Sequence, residues 1–282
     1  MKTEEHAAMS VQDARYVEFL QWVLPRLGLH WPGFRKVRRQ VIKRIARRIR
    51  ALQLADLDHY RRFLQSHEQE WRMLDRFCRI TISRFCRDRA TFELLAREGF
   101  PELIDLCRSR GENLLRCWSA GCGAGEESYS LALVWAFDVA LRVRDIRLSI
   151  LATDIDPAQI ARAQRGCYPT SSLRELPTLW REAAFVEGNG RYCIKPEYRQ
   201  PIRFAVQDLR EAAPSGPFHL ILCRNLAFTY FSEALQEATA RRINAALAPG
   251  GMLMIGSHES LPDAAVGFDQ WRPPLPICRK RR

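Results

Sequence analysis

The sequence predicts a doubly wound, mostly parallel α/β domain preceded by a small all-α N-terminal domain. Apolar strand-like runs recur at 114–119 (LLRCWS), 146–153 (IRLSILAT), 202–207 (IRFAVQ), 218–223 (FHLILC) and 251–257 (GMLMIGS). Helical stretches lie between several of them: EESYSLALVWAFDVALRV, PAQIARAQRG and EALQEATARRINAALA. Strands separated by helices pair in parallel and carry the helices on the sheet faces. No strand-like alternation precedes about residue 112, and the chain there has helical periodicity instead.

Taken in order, Val37, Val41, Ile45 and Ile49 recur every four residues with Ile42 alongside, which makes one apolar stripe on a helix otherwise filled by Arg and Lys. LADLDHYRRFLQSH predicts a second helix with Leu57, Tyr60 and Leu64 inward, and EQEWRMLDRFCRI a third. The boundary falls near residue 90, dividing the chain into 1–90 and 91–282. Within the second part, 167–201 is polar and holds Pro169, Pro177, Pro196 and Pro201, so it reads as a reduced insertion or long connection. The APGG after the last helix is a stop signal.

Composition narrows the class. Hydrophobic content of 47% and charged content of 27% are ordinary for a globular chain of 282 residues. No apolar run approaches the roughly 20 residues of a membrane helix. The start, MKTEEHAAMSVQDARY, is polar with no apolar h-region, so no signal peptide is expected. The nine cysteines are odd in number and form no CxxC pair, which favours reduced thiols in a cytoplasm over a disulfide framework or zinc site. The six histidines (His6, His30, His59, His67, His219 and His258) are dispersed and form no H-x-x-x-H pair, so no metal is expected. The net charge of +12 is concentrated: FRKVRRQVIKRIARRIR carries nine basic residues and no acid. Such a surplus attracts nucleic acid, a membrane surface or an acidic protein face.

The chemistry centres on GCGAGEES. Gly121, Gly123 and Gly125 follow a strand and precede a helix, where a doubly wound fold meets a nucleotide-like ligand. The spacing is not G-x-G-x-x-G, and a glycine turn needed only for close packing is the plain alternative. The next strand ends in ATDIDP, placing Asp154 where an acid commonly bonds ribose hydroxyls. Asp156, before Pro157, suits a helix cap, and Glu126 suits the positive end of a helix dipole. Glycines and a ribose-binding acid, with Glu126 and Glu127 in place of cations, suit an adenosine that bears positive charge and no phosphate. S-adenosylmethionine (SAM) is such a ligand.

Five segments in the same order carry a resemblance to the CheR-type chemoreceptor glutamate O-methyltransferases: KRIARRIRALQLADLDHYRRFL, ITISRFCRDRATFELL, WSAGCGAGEESYSLA, ATDIDPAQIARAQRGCY, and FHLILCRN followed by YF and LAPGGMLMIGSHESL. The resemblance covers nearly the whole chain. It implies a Rossmann-like SAM-dependent methyltransferase domain whose cofactor is held by Thr81, Ser83, Arg87, Gly121, Glu127, Asp154, Asp208, Leu209, Arg224 and Asn225. It implies Arg87 and Tyr230 as catalytic residues, the first reaching over cofactor and substrate, the second near the transferred methyl. The activity implied is methyl esterification of receptor glutamates in the cytoplasm, with no metal. The partner would be the acidic methylation helices of a chemoreceptor, met by the basic helix 35–50, with the membrane approached only through that receptor and no nucleic acid bound. The alternative is a related O-methyltransferase acting on another protein or a small molecule.

Two departures bear on this. After CRN the family usually runs N-x-x-x-Y-F; this chain has NLAFTYF, one residue longer, so either Tyr230 or Thr229 takes the acceptor slot. The inserted β-subdomain that grips a receptor tail in some members looks short in FVEGNGRYCIKPEYRQPIRF. A base-methylating reading would want N-P-P-Y or D-P-P-Y where this chain has CRN.

Overall fold

The computed structural model describes residues 11–263, 265 and 267–281. The polar start at residues 1–10, with His6, lies outside the described residues. Contacts divide the chain into two compact units, Met1–Thr81 with Thr229–Glu233, and Ile82–Phe228 with Ala234–Arg282. The boundary read from sequence at about residue 90 falls inside the second of these.

The first unit is helical: α1 (Val11–Val23), α2 (Trp31–Phe34), α3 (Arg38–Ala51), α4 (Leu57–Ser66) and α5 (Glu68–Cys78). The four-residue stripe explains α3, since Val41, Ile45 and Ile49 are the residues it buries. Each such side chain contributes roughly 1.5–3 kcal/mol on leaving water. Leu57, Tyr60 and Leu64 are buried from α4, and its N-cap Asp56 accepts the His59 amide at 2.9 Å. Two of the nine cations in 35–50 are structural. Arg44 donates to the carbonyls of Phe77 (2.8 Å) and Arg79 (2.7 Å), occupying acceptors at the end of α5. Arg48 forks onto the buried Glu70 at 2.9 and 2.7 Å, and the Tyr60 hydroxyl donates to the same carboxylate at 2.9 Å. Arg39, Lys43, Arg47 and Arg50 stay exposed on α3, with no carboxylate paired to them among the described residues.

The second unit opens with α6 (Arg89–Leu94) and α7 (Phe100–Ser109). There follow β1 (Leu114–Ala120), α8 (Glu126–Val134), β2 (Arg147–Asp154), α9 (Pro157–Arg165), β3 (Cys167–Pro169), α10 (Thr178–Ala184), β4 (Phe185–Gly188), β5 (Arg191–Ile194), β6 (Ile202–Val206) and β7 (Phe218–Leu222). The chain continues through α11 (Ala227–Tyr230), α12 (Glu233–Ala246), β8 (Leu247–Met254), β9 (Phe268–Gln270) and β10 (Ile277–Lys280). Seven strands form one sheet in the order β6-β2-β1-β7-β8-β10-β9. The five strands from β6 to β8 are parallel, and β10 runs antiparallel to both neighbours. Parallel strands are covered on both faces, and β7 is accordingly buried at all five positions. Strand order reverses between β1 and β7, so the carboxyl ends of these two strands flank the switch point where such sheets take ligands.

Two findings differ from the sequence reading. The stretch 167–201 contains a second, three-stranded antiparallel sheet ordered β3-β5-β4, together with α10. Asn189 (φ 52°) and Gly190 (φ 68°) join β4 to β5, a pairing of left-handed residues that a two-residue hairpin demands. Second, the cysteines are not all reduced. Cys167 and Cys193 stand opposite one another in the β3–β5 register, with Cα atoms 4.0 Å apart, and form a disulfide. A separation of 26 residues hides such a pair from spacing arguments. The helix before APGG ends at Ala246 as that stop signal implies, and the segment itself lies within β8, where pairing with β7 shifts register between Phe218 and Leu220.

Candidate active site

The glycine turn after β1 folds back onto β2: the Thr153 carbonyl accepts from the amides of Gly121 (2.8 Å) and Cys122 (2.9 Å). The buried Tyr168 hydroxyl, arriving from β3, donates to the Ala124 carbonyl at 2.7 Å. Across the switch point, Leu226 lies against Gly121 so closely that a Cβ there would sit 2.3 Å from a Leu226 methyl.

Asp154, Glu126 and Glu127 gather at this turn. Asp154, at the end of β2, accepts the Gly123 amide at 2.9 Å on one oxygen and the Asp156 amide at 2.9 Å on the other. Asp156 caps α9 through the Ala158 amide at 2.9 Å. Glu127, in the first turn of α8, accepts Ser119 Oγ at 2.8 Å and Arg224 at 3.3 Å. Glu126 is buried beside Ser83, and its Oε2 has no hydrogen-bond partner among the described residues. Burial pushes both carboxyls above the ordinary range; Arg224 and Ser119 pull Glu127 back only in part.

Arg87 projects from a turn in which Cys86 (φ 51°) and Asp88 (φ 62°) are left-handed, and its guanidinium donates to the Ile82 carbonyl at 3.0 Å. Arg224, just past β7, has a side chain only 3% exposed and bonds Glu127, Asp88 and the Arg87 carbonyl. Asn225 is left-handed (φ 53°). Asp208, beyond β6, is engaged by Arg210 at 2.9 Å, and the adjacent Leu209 is buried.

In this way the second unit gathers Gly121, Glu127, Arg87, Arg224 and Asn225 around the ends of β1 and β7. Ser83 joins through Glu126, Asp154 lies at the end of β2 and Asp208–Leu209 follow β6. Thr81 and Tyr230 belong to the first unit. There the Tyr230 carbonyl accepts the His30 amide (2.9 Å) and its ring lies 5.0 Å from that of Phe34. Thr229 offers its carbonyl to His30 Nε2 (2.9 Å).

Sequence reasoning assigned no role to Glu259. Its carboxylate accepts three backbone amides, those of Asn225 (2.8 Å), Leu226 (3.1 Å) and Gly256 (2.6 Å), and so sets the turn that aims both Arg224 and Leu226. Its signal lay in GSHES, five residues past the end of β8, but an acid that serves backbone amides has no spacing pattern. Ser119 and Ser130 were missed for the same reason: each acts through one hydroxyl whose partner is fixed only in the fold.

The raised Glu127 pKa gives a pH prediction. Between the unfolded value near 4.5 and its higher folded value, the folded state holds more protons than the unfolded one, so this group costs stability as pH rises through that window. A cationic ligand reverses the preference, because it favours the ionised form. SAM affinity, measured by calorimetry, should therefore climb with pH by up to about tenfold per unit below the folded pKa and climb less steeply in Glu127→Gln, where Glu126 remains to titrate.

The cradle fits an adenosyl sulfonium. Gly123 is buried, yet a Cβ built on it meets nothing within 4 Å, which leaves room beside an amide already oriented by Asp154. The acids supply negative charge for a cation. Among the described residues no group of three or more His, Cys, Asp or Glu could hold a metal ion, and no helix is long and apolar enough to cross a membrane.

Sheet order and cradle agree with the SAM-dependent methyltransferase that the family match identifies. The profile described as "CheR methyltransferase, SAM binding domain" matches residues 81–273. The chain is 37% identical over 202 residues to a chemotaxis protein methyltransferase of Listeria innocua serovar 6a, covering 71% of this chain and 74% of that protein. It is 30% identical over 260 residues to the chemotaxis protein methyltransferase of Escherichia coli K12, covering 89% and 86%. With a 104.1 kDa Rhodobacter capsulatus protein from the hypE 3' region it shares 36% identity over 222 residues, and it spans only 23% of that protein's length. The chain belongs to the CheR methyltransferase family.

Proposed function

We propose that this chain transfers the methyl of SAM to glutamate side chains of a chemoreceptor, giving a glutamyl methyl ester and S-adenosylhomocysteine. The observation that carries this reading is the exposed basic face of α3, in a chain 30% identical to a chemotaxis protein methyltransferase over 86% of that protein's length. Acidic methylation helices would be steered onto such a face. The same reading places the protein in the cytoplasm, reaching the membrane only through the receptor.

SAM supplies a methyl on a sulfonium whose leaving group is a neutral thioether. The acceptor glutamate is already ionised at neutral pH, so neither a general acid nor a base is needed. What remains is alignment and exclusion of water, which can contribute several kcal/mol. Asp154 would hold the ribose, and Glu127 the cationic methionine end. Asp208 and Leu209 would flank the adenine, while Thr81, Ser83, Gly121, Arg224 and Asn225 line the cofactor. Arg87 would orient the acceptor carboxylate, and Tyr230 would donate a hydrogen bond near the methyl. The extra residue in NLAFTYF favours one second reading, a related O-methyltransferase with a different protein or small-molecule acceptor.

The test is incubation with methyl-labelled SAM and a chemoreceptor signalling domain, followed by base. Label released as methanol marks a glutamyl ester, and SAM binding without transfer sinks the receptor reading for that domain. Reversing Arg39, Lys43 and Arg47 to Glu should raise the KM for the receptor at least about tenfold and flatten its salt dependence, with SAM affinity unchanged. Equal loss of both would show that α3 matters for folding rather than capture.

A further inference from the structure

We infer that Asp88 and Arg224 form a positioning pair that holds Arg87 in place and ties it to Glu127. Asp88 is the N-cap residue of α6, where an aspartate ordinarily accepts an amide of the first turn. Its side chain makes no such bond. It turns to Arg224 instead, and the same guanidinium nitrogen also donates to the Arg87 carbonyl at 3.0 Å. The other terminal nitrogen reaches Glu127 at 3.3 Å. One buried cation therefore grips two sides of the site: the turn that presents Arg87, and the glutamate at the start of α8.

The turn needs such a grip. Cys86 and Asp88 are both left-handed without being glycine, a conformation that crowds Cβ against the backbone carbonyl, more so for Cys than for Asp. Ser130 holds the first by accepting the Cys86 amide at 2.8 Å. Asp88 holds the second, since its own carbonyl accepts the Thr91 amide at 2.8 Å while its carboxylate is fixed by Arg224. Arg224 is in turn confined on its remaining side by the Phe92 ring, 5.4 Å from the guanidinium carbon. Both terminal nitrogens of Arg224 are engaged by protein groups, while its buried Nε has no hydrogen-bond partner among the described residues. Its contribution to methyl transfer is then to align Arg87 and Glu127, and Asp88 is the residue that keeps it there.

This inference rests on the proposed role of Arg87, so its test has two arms. Amide exchange followed by mass spectrometry reads the turn directly: Asp88→Ala should speed exchange at 86–91, and Asp88→Glu should restore part of the protection. Unchanged exchange would overturn the pairing, whatever Arg87 does. In the labelled-methyl assay with a receptor signalling domain, Asp88→Ala should lower kcat about tenfold or more and leave the KM for SAM within about threefold. It should cost little further in an Arg87→Ala background, because the pair acts through Arg87. Fully additive losses, or an unchanged kcat, would overturn the inference. A silent Arg87→Ala would remove the role of Arg87 and the inference with it, while the exchange arm would still report whether the turn is clamped.

Discussion

Replacing Asp154 with alanine is expected to abolish SAM binding in calorimetry at concentrations where the parent chain saturates. The carboxylate does two things. It is proposed to accept the ribose hydroxyls, and it holds the Gly123 and Asp156 amides at 2.9 Å each. Hydrogen bonds to a charged group contribute about 1.5–3 kcal/mol each, so losing two ribose bonds weakens affinity roughly 100-fold or more before the turn itself relaxes. Asp154→Asn separates the parts. One amide oxygen remains as an acceptor, so it can keep one backbone amide, but the amide nitrogen cannot accept the other bond. Asn should therefore lie between the parent and Ala. Micromolar affinity retained in Asp154→Ala would show that the ribose assignment is wrong, and a drop in melting temperature with affinity intact would leave Asp154 as a turn-builder alone.

How far this site was legible in the sequence depended on what kind of signal each part leaves. The parallel core was readable because a strand covered on both faces is a continuous apolar run: FHLIL is buried at every position. The glycine turn and Asp154 were readable because a strand end has a fixed place in a doubly wound sheet. The small strands β3, β9 and β10 were not, being three or four residues long with several positions open to solvent. The β4–β5 hairpin did carry a signal, the Asn-Gly pair in VEGNGRYC, obscured by the surrounding prolines and charges. Long-range pairs leave no local trace. Asp88 and Arg224 are 136 residues apart, and neither RFCRD nor CRN announces the other. The nine cations of 35–50 looked alike in sequence, and only the packing of α3 separates Arg44 and Arg48, which face carbonyls and Glu70, from those such as Arg39, Lys43 and Arg47 that stay exposed.

The glycine turn itself yields the second large effect, as a contrast between residues two apart. Gly125 has φ 93° and ψ −1°, and a Cβ there would lie 2.9 Å from the Ala163 methyl and 3.2 Å from both Phe204 and Tyr129. Gly125→Ala therefore combines backbone strain with overpacking, about 2–6 kcal/mol together. Its melting temperature should fall on the order of 10 °C. Gly123 has φ 55°, within the ordinary left-handed well, and its Cβ would meet nothing. Gly123→Ala should cost only about 1–2 kcal/mol of stability, yet its methyl would enter the space beside the amide that Asp154 orients, so SAM affinity should fall at least about tenfold. Differential scanning calorimetry and SAM titration on the two variants separate the outcomes. If Gly123→Ala binds SAM as the parent does, the turn serves packing alone, and its glycines say nothing about the cofactor. If it melts nearly like the parent but binds poorly, the two glycines divide the work: Gly125 lets α8 pack close to α9, and Gly123 lets the backbone approach the ligand.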